Sequence, residues 1–206
     1  MKRGKFITFE GGECSGKTSI IERVCEVFDQ LGIPYISTRE PGGIDISEQI
    51  RKVILDVRNT AMTKETEALL YAASRMQHLS ERILPALEAG KVVLCDRYID
   101  SSLAYQGYAR GLGIDDVLKI NHFALKSLPD LTFFIDVKPK TALSRLNERA
   151  KLDRLDLETM KFHEDVYQGY LKLCGKYPDR IVMIDGNRPL EEITNDCIKR
   201  ILTFIS

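Results

Sequence analysis

Residues 11–18 read Gly11-Gly12-Glu13-Cys14-Ser15-Gly16-Lys17-Thr18 and match the phosphate-binding pattern G-x-x-x-x-G-K-[ST]. A β-branched and aromatic run precedes this stretch at residues 5–9, and apolar residues at helical spacing follow it over residues 20–28. A glycine loop between a strand and a helix leaves several backbone N–H groups unpaired, and the helix dipole adds positive potential there. We therefore predict that this loop binds the phosphates of a nucleotide. A plain glycine-rich turn is the alternative.

The residue types inside the loop suit that role. Gly11 and Gly16 permit a tight turn and a close approach of backbone to phosphate. Lys17 is expected to act in catalysis by reaching the β- and γ-phosphates, and the hydroxyl of Thr18 is expected to bind Mg²⁺. We assign the binding of a nucleoside triphosphate, such as ATP, to the whole stretch: Gly11, Gly12, Glu13, Cys14, Ser15, Gly16, Lys17 and Thr18.

Composition restricts the class of protein. A chain of 206 residues suits one domain, 1–206. With 30 basic and 30 acidic residues the net charge is zero, which gives no argument for a nucleic-acid or membrane partner. Five cysteines without a C-x-x-C pair argue against a disulfide framework or zinc site and favour a reducing compartment. No apolar stretch approaches the ~20 residues of a membrane span, and the run after Arg3 is too short for a signal-peptide core. We expect a cytoplasmic protein.

Strand and helix patterns alternate along the chain. Short apolar runs, typical of parallel strands buried on both faces, occupy residues 5–10, 34–38, 91–95, 131–136 and 180–184. Helical patterns lie between and after them, at residues 17–31, 45–57, 64–89, 114–127, 139–149, 157–175 and 189–205. This order predicts an α/β fold with three layers, in which helices flank a doubly wound, five-stranded parallel sheet. Ligands of such sheets bind beyond the carboxyl ends of the strands.

Three predicted strands end in residues that suit a ligand site, and these ends should face one crevice. The first ends in Glu10 and the glycine loop, the second in residues 39–43, and the third in Asp96, Arg97 and Tyr98. An acid at the end of an apolar strand holds Mg²⁺ in phosphate-loop enzymes, although Asp96 could also start a surface turn. Arg97 could bind a substrate phosphate or form a structural ion pair. Side chains alternate along an extended chain, so we expect Asp96 and Arg97 to serve different ligands.

Two helices add candidates. In the helix at 45–57, Arg51 could reach back toward the crevice or be solvated, while Ile46, Ile50, Val53, Ile54 and Val57 form the apolar face. In the helix at 64–89, Tyr71 and Arg75 form an aromatic surface beside a hydrogen-bond donor, which suits a planar base; a solvated face is the alternative. The core stripe of that helix is predicted to be Leu69, Ala72, Met76, Leu79, Ile83 and Leu87. Pro85 is expected to kink or shorten the helix.

Residues after the third strand carry hydroxyl and amide groups. Asp100 is a plausible N-cap, and residues 101–108 then provide the donors and acceptors that recognition of a neutral base and sugar requires. A polar loop has the same composition.

Residues 145–154 contain four basic residues. A solvated charged helix is the ordinary meaning of such a run. In a phosphoryl-transfer enzyme it could be a mobile lid, here about residues 143–156, that brings an arginine to the transferring group. Such an arginine contributes roughly 10³–10⁵ in rate. The glycine loop contains no arginine, which favours the lid interpretation.

Taken together, these motifs resemble those of bacterial thymidylate kinases, within the superfamily of phosphate-loop nucleoside monophosphate kinases. The resemblance covers essentially the whole chain. It rests on Phe9-Glu10-Gly11 with the glycine loop, Thr38-Arg39-Glu40-Pro41-Gly42-Gly43, Ala72-Ala73-Ser74-Arg75, Asp96-Arg97-Tyr98, Ser101-Ser102-Leu103-Ala104-Tyr105-Gln106-Gly107 and Leu152-Asp153-Arg154. It implies transfer of the ATP γ-phosphoryl to dTMP, giving dTDP and ADP in dTTP biosynthesis, with Mg²⁺ as cofactor.

The resemblance also implies residue roles. Glu13 would lie near the sugar and phosphate of dTMP or the Mg²⁺ shell, while Arg51 and Arg97 would hold the dTMP phosphate. Tyr71 would stack on thymine, where the family often has Phe, and Arg75 would hydrogen-bond to O4. Tyr105 would crowd the 2′ position. The full acceptor set is Glu13, Glu40, Pro41, Arg51, Tyr71, Arg75, Arg97, Ser102, Tyr105 and Gln106, with Arg145, Arg149 and Arg154 as catalytic candidates in the lid and Thr18 and Asp96 at the metal.

Rival functions stay open at this point. Another nucleoside monophosphate kinase or a deoxynucleoside kinase is the nearest, because base specificity is the softer inference. A GTPase-like switch would need an N-K-x-D motif, which the sequence lacks. The family is typically a homodimer, and an apolar helix face in this chain could serve either a core or a subunit interface.

Overall fold

The computed structural model describes residues 3–146 and 152–206. Its centre is a five-stranded sheet in which every adjacent pair of strands is parallel. The strands are β1 (Phe6–Glu10), β2 (Tyr35–Arg39), β3 (Val92–Asp96), β4 (Leu131–Asp136) and β5 (Ile181–Asp185), in the spatial order β2-β3-β1-β4-β5. The predicted α/β fold class is confirmed.

Helical segments connect the strands. The α-helices are α1 (Lys17–Leu31), α2 (Asp45–Leu55), α3 (Lys64–His78), α4 (Leu84–Glu88), α5 (Ile99–Ser102), α6 (Ile114–Ile120), α7 (Pro139–Leu146), α8 (Met160–Lys176) and α9 (Leu190–Ile205). Two π-helical segments, Leu79–Ile83 and Leu103–Ala109, and one 3₁₀ segment, His122–Ser127, complete them. Within the described part of the chain, no helix combines the length and apolarity needed to cross a membrane.

The sheet separates two apolar cores. Side chains alternate along β1, so Phe6 packs on one side, whereas Ile7 and Phe9 pack on the other. All five residues of β1 are buried, because helices cover both faces of the sheet. Glu10 lies on the same side as Phe6, and this places its carboxylate among the elements that build the site described below.

Predicted element bounds agree closely for the strands and differ for some helices. Each predicted strand starts and ends within one residue of the observed one. The helix predicted at 64–89 runs to Glu88, but its middle is the π-helical segment Leu79–Ile83, where the backbone N–H of Leu84 donates to the carbonyl of Leu79. The helix predicted at 114–127 is two segments that meet at Asn121, whose side chain donates to the carbonyl of Val117.

The expectation for the buried face of α3 is wrong at Leu69 and only partly met at Ala72 and Met76, which are half-buried. Leu69 is 57% exposed, whereas Tyr71, Arg75 and His78 are buried. Only Leu79, Ile83 and Leu87, beyond α3, lie in the core as predicted. The predicted apolar face of α2 is also only partly buried: Ile54 is in the core, but Ile46, Val53 and Val57 are exposed. The periodicity of these helices was correct, but a polar cluster occupies the interior side of α3.

The N-cap role expected for Asp100 is also wrong. Helix α5 begins one residue earlier, at Ile99, and Asp100 is fully buried inside it. Its carboxylate accepts two hydrogen bonds from the guanidinium of Arg180, at 2.6 and 2.8 Å. A long-range ion pair therefore determines the position of Asp100, and local sequence could not reveal it.

The register of the sheet brings the three strand ends together. Asp96 is opposite Phe9 of β1 and Arg39 of β2. Past the strands, the backbone N–H of Glu40 donates to the carbonyl of Asp96 at 2.9 Å, and that of Arg97 donates to the carbonyl of Phe9 at 2.9 Å. The strand order reverses between β1 and β3, which is where ligands of such sheets bind.

Candidate active site

The phosphate-binding loop lies between β1 and α1. Gly11 has a φ of +144° and Gly16 a φ of +93°, and a Cβ atom on Gly11 would lie 2.8 Å from the carbonyl oxygen of Ile135. Gly16 is the residue that precedes α1, so the free N–H groups of the first helical turn face the loop. Backbone geometry favours glycine at both positions, in agreement with the predicted tight turn, and close packing also requires it at Gly11.

Lys17 folds back over this loop. Its ammonium group donates to the carbonyls of Gly12 and Gly11, at 2.9 and 3.3 Å, and to the hydroxyl of Ser15 at 3.1 Å. Burial and the nearby charge of Arg97 lower the pKa of Lys17. Within the part of the chain that the structure describes, this buried ammonium donates its hydrogen bonds to neutral oxygens, so it is well placed to gain from an arriving phosphate anion.

Thr18 and Asp96 meet at the mouth of the loop. The hydroxyl of Thr18 donates to a carboxylate oxygen of Asp96 at 2.9 Å. Mg²⁺ prefers a few oxygen ligands, such as carboxylates and hydroxyls, together with nucleotide phosphates. These two side chains fit such a site. Thr18 belongs to the loop and Asp96 to β3, and the two residues are 78 positions apart in the sequence.

Arg97 connects the loop to the rest of the crevice. It has a left-handed backbone with φ of +69°, which is unusual for a residue other than glycine and typical of functional positions. One guanidinium nitrogen donates to the carbonyl of Gly11 at 2.7 Å and the other to the carboxylate of Glu13 at 2.6 Å. Asp96 and Arg97 thus contact different partners, and that they serve different ligands stays a prediction.

A buried carboxylate lies beneath Arg97. Glu10 accepts hydrogen bonds from the hydroxyls of Ser101 and Tyr170, at 2.6 and 2.9 Å, and from the backbone N–H of Tyr98 at 2.7 Å. The same two hydroxyls accept from Arg97, at 3.3 and 3.2 Å. Burial, assisted by the charge of Asp100, raises the pKa of Glu10 to about 7. Glu10 therefore orients the hydroxyls of Ser101 and Tyr170, which in turn orient the guanidinium of Arg97.

A cavity lined mainly by polar and aromatic side chains adjoins the loop, and small-molecule sites are commonly concave. All ten residues predicted to bind the acceptor line it: Glu13, Glu40, Pro41, Arg51, Tyr71, Arg75, Arg97, Ser102, Tyr105 and Gln106. Glu13 belongs to both the loop and the cavity, and it accepts a hydrogen bond from the hydroxyl of Tyr105 at 3.1 Å. The cavity and the loop thus share one wall.

Arg75 is held rigidly in that cavity. It is 1% exposed, and its guanidinium donates to Glu40 at 2.8 Å, to Asn121 at 2.6 Å, to the hydroxyl of Ser102 at 3.0 Å and to the carbonyl of Tyr98 at 3.1 Å. An arginine has five N–H donors, so four bonds leave one. Arg75 can thus present one fixed donor to a planar base.

Tyr71 and Arg51 also line this cavity. The aromatic ring of Tyr71 is buried, and burial raises the pKa of its hydroxyl. Arg51 donates to the carbonyl of Pro41 at 2.8 Å. Burial first, and then the charge of Arg39, lower the pKa of Arg51. A cation and an aromatic ring that line the same cavity suit a nucleotide acceptor.

Comparison with known proteins agrees with this geometry. The family model described as "Thymidylate kinase" matches residues 9–197. The chain belongs to the thymidylate kinase family. It is 56% identical over 196 residues to the thymidylate kinase of Clostridium novyi, covering 94% of this chain and 96% of that one. It is also 54% identical to that of Oceanobacillus iheyensis, covering 98% and 92%, and 52% identical to that of Halalkalibacterium halodurans, covering all of both chains. The resemblance drawn from the sequence is confirmed, and with it the assignment of a kinase.

The lid arginines predicted for this thymidylate kinase family member lie in different places. Arg145, at the end of α7, donates to the carbonyl of Cys14 in the loop at 3.3 Å. Arg154 lies between two residues that line the cavity, and it donates to Glu67 at 2.6 Å and to the carbonyl of Ile54 at 2.9 Å. Arg149 lies outside the described residues. The mobile lid stays a prediction.

Some residues of the thymidylate kinase site escaped the sequence analysis. Leu55, Tyr98, Ser101, Asp153 and Leu155 also line the cavity. Tyr98, Ser101 and Asp153 lie within the motifs that carry the family resemblance, and Tyr98 also ends the third predicted strand, so the sequence indicated their place but gave them no role. Glu67, which binds Gln106 and Arg154, carried no signal, because a glutamate on an amphipathic helix normally indicates a solvated face.

Proposed function

We propose that the protein transfers the γ-phosphoryl group of ATP to dTMP, giving dTDP and ADP. The observation that carries this proposal is the wall shared by the phosphate loop and the cavity. Glu13 belongs to both, and Arg97 binds both Glu13 and the carbonyl of Gly11. A donor phosphate on the loop and an acceptor phosphate in the cavity would therefore meet beside Arg97.

The donor side is formed by the loop. The backbone N–H groups at the start of α1 and the ammonium of Lys17 would bind the ATP phosphates. Thr18 and Asp96 would hold Mg²⁺, which when bound neutralises charge on the β- and γ-phosphates. This assignment is supported by the hydrogen bond between Thr18 and Asp96.

The acceptor side is formed by the cavity. Arg51 and Arg97 would bind the phosphate of dTMP, Tyr71 would stack on thymine, and Arg75 would donate to O4. Ser102 and Gln106 would contact the base, while Tyr105 would crowd the 2′ position and favour deoxyribose. Glu40 has a supporting role in this proposal, because Arg75 and His78 occupy its two oxygens.

The chemistry needs positioning and charge stabilisation rather than a general base. The acceptor phosphate is already an anion, so no proton has to be removed before it attacks. Lys17, Arg97 and a lid arginine would stabilise the charge spread over the transferring group. Arg145 contacts the loop in this structure and is therefore the lid arginine that we favour.

We further propose a cytoplasmic homodimer. Leu69 and Phe123 are 57% and 71% exposed, and they line a shallow groove with Ala72, Met76 and Ile120. Exposed apolar patches of this kind mark interaction surfaces. The part of α3 that was expected to face the core would then face a second copy of the chain.

Two substitutions test the proposed transfer. Lys17→Ala and Arg97→Ala should each lower kcat for dTMP phosphorylation by about 10³-fold or more, because each removes a cation at the transferring group. Arg23→Ala, on the exposed side of α1, is the matched control and should leave kcat unchanged. Circular dichroism should show that all three variants are folded. A folded Lys17→Ala or Arg97→Ala variant with the kcat of the unaltered protein would refute the assignment.

A further inference from the structure

Glu67 is a buried acid on α3 that the proposed chemistry does not use. It is 1% exposed, yet it does not line the cavity. Its first oxygen accepts from the side-chain amide of Gln106 at 2.8 Å and from Nε of Arg110 at 3.2 Å. Its second oxygen accepts from Arg110 at 3.1 Å and from Arg154 at 2.6 Å. A carboxylate that accepts four hydrogen bonds from three residues has one well-defined position.

The ionised form of Glu67 is the stable one. Burial alone would raise its pKa, but hydrogen bonds from Arg110 and Gln106, together with the charge of Arg110, outweigh burial and lower the pKa. An ionised carboxylate can only accept hydrogen bonds. The group of Gln106 that faces Glu67 must therefore be its NH₂ group, and the alternative orientation of the amide is excluded.

This contact determines what Gln106 offers to a ligand. Gln106 lines the cavity and Glu67 does not, so the carbonyl oxygen of the amide is the end that remains for an acceptor molecule. Among the described residues, none donates a hydrogen bond to that oxygen. We infer that Glu67 is a positioning residue that sets base specificity, by fixing the Gln106 amide so that the cavity presents a hydrogen-bond acceptor to the base.

The inference, which rests on the proposed function, identifies the kind of base that fits. A pyrimidine with an N3–H group, such as thymine or uracil, can donate to the fixed carbonyl oxygen. Cytosine has an unprotonated N3 that only accepts, so two acceptors would face each other. Sites built to pair a ligand N–H group reject analogues that lack it. Arg75 is a donor, so it favours the O4 carbonyl of thymine over the 4-amino group of cytosine. Glu67, acting through Gln106, would extend this discrimination to N3.

Glu67→Gln is the most direct test. The second oxygen of Glu67 accepts from two arginines, at 3.1 and 2.6 Å, and the first from one, at 3.2 Å, so the new amide nitrogen is expected to replace the first oxygen, which faces Gln106. Gln106 would then reverse and present NH₂ to the cavity. We expect the ratio of kcat/KM for dTMP to kcat/KM for dCMP to fall at least about tenfold. Glu65→Gln, on the exposed side of the same helix, is the matched control and should keep the ratio.

A double-mutant cycle separates this role from a merely structural one. In a Gln106→Leu background, Glu67→Gln should produce no further change in the ratio, because the group through which Glu67 acts is gone. A general loosening of the site would lower the ratio in both backgrounds. An unchanged ratio in the single variant, or an equal fall in both backgrounds, would overturn the inference.

A measurement on the unaltered enzyme covers the case in which Glu67→Gln does not fold. N3-methyl-dTMP lacks the N3–H group. Its inhibition constant against dTMP phosphorylation should therefore be at least about tenfold higher than the dissociation constant of dTMP. Equal binding of the two nucleotides would overturn the inference. Failure of the unaltered enzyme to phosphorylate dTMP at all would instead overturn the proposed function.

Discussion

Glu10 shows how one buried side chain makes the protein sensitive to pH. Its pKa in the folded protein is raised to about 7 from its ordinary value of 4.5, chiefly because burial penalises the charged form. Because the pKa of Glu10 is raised in the folded state, Glu10 makes its full contribution to the free energy of unfolding below pH 4.5. This contribution is lost as the pH rises toward 7. For a shift of this size the loss is on the order of 3 kcal/mol.

We therefore predict a pH dependence that Glu10→Gln removes. The free energy of unfolding of the unaltered protein, relative to that of Glu10→Gln, should decrease from pH 5 to about pH 7 and level off above it. Urea unfolding at half-unit pH intervals measures this difference, and the comparison cancels the titration of groups that do not interact with Glu10. A difference that stays constant over this range would show that Glu10 is ionised throughout.

Individual residues were predictable where a local motif names them. Lys17, Thr18 and Arg97 follow from a glycine loop and a strand end, because backbone geometry limits what can stand there. The roles of Glu10 and Glu67 depend instead on contacts with residues that are distant in the sequence. The partners are 88 to 160 positions away for Glu10 and 39 to 87 positions away for Glu67. Sequence reasoning could not foresee these contacts, since a lone acid is most often solvated.

At the scale of elements, helix α3 illustrates the limit of periodicity. The pattern separates an apolar side, with Leu69, from a side with Tyr71 and Arg75. Ordinary amphipathicity assigns the apolar side to the core. Here the polar side is interior, because Glu40, Asn121 and Ser102 satisfy the guanidinium of Arg75. Functional sites are where such rules are expected to fail.

Helix α8 packs against the π-helical segment Leu103–Ala109 at a glycine, and this contact is testable. A Cβ atom on Gly169 would lie 3.0 Å from Cα and 3.1 Å from the carbonyl oxygen of Ala104, which belongs to that segment. Gly169→Ala should therefore lower the free energy of unfolding by about 1–3 kcal/mol.

The matched control lies in the same helix. A Cβ atom on Gly175 would meet nothing within 4 Å, so Gly175→Ala should instead stabilise the protein by about 0.5–1 kcal/mol through helix propensity. Thermal and urea unfolding of both variants measure these opposite effects. A neutral or stabilising Gly169→Ala would show that α8 can move away from the π-helical segment without loss.

At the scale of the whole molecule, the alternation of strands and helices was sufficient to predict the parallel sheet and its helical layers. The sheet register then placed the three predicted strand ends side by side, as Asp96 lies opposite Phe9 and Arg39. The sequence could not show whether the apolar faces of α2 and α3 belong to the core or to a subunit interface, because both require apolar residues.

The proposed dimer has a direct test at this scale. Leu69→Glu places a charge in the exposed apolar groove and should convert the protein from a dimer to a monomer. Leu31→Glu is the control, since Leu31 is equally exposed, at 57%, on a different helix. Light scattering coupled to size-exclusion chromatography should give twice the chain mass for the unaltered protein and for Leu31→Glu. A monomeric unaltered protein, or a dimeric Leu69→Glu variant, would contradict this interface.

The central claim is that one crevice transfers a phosphoryl group from ATP on the loop to dTMP in the cavity. The most direct measurement is ADP release by the purified protein with ATP, Mg²⁺ and one nucleoside monophosphate at a time. The structure predicts rapid ADP release with dTMP, slower release with dUMP and little with dCMP, dAMP or dGMP. ADP release that does not depend on any acceptor, or none with dTMP, would contradict the claim.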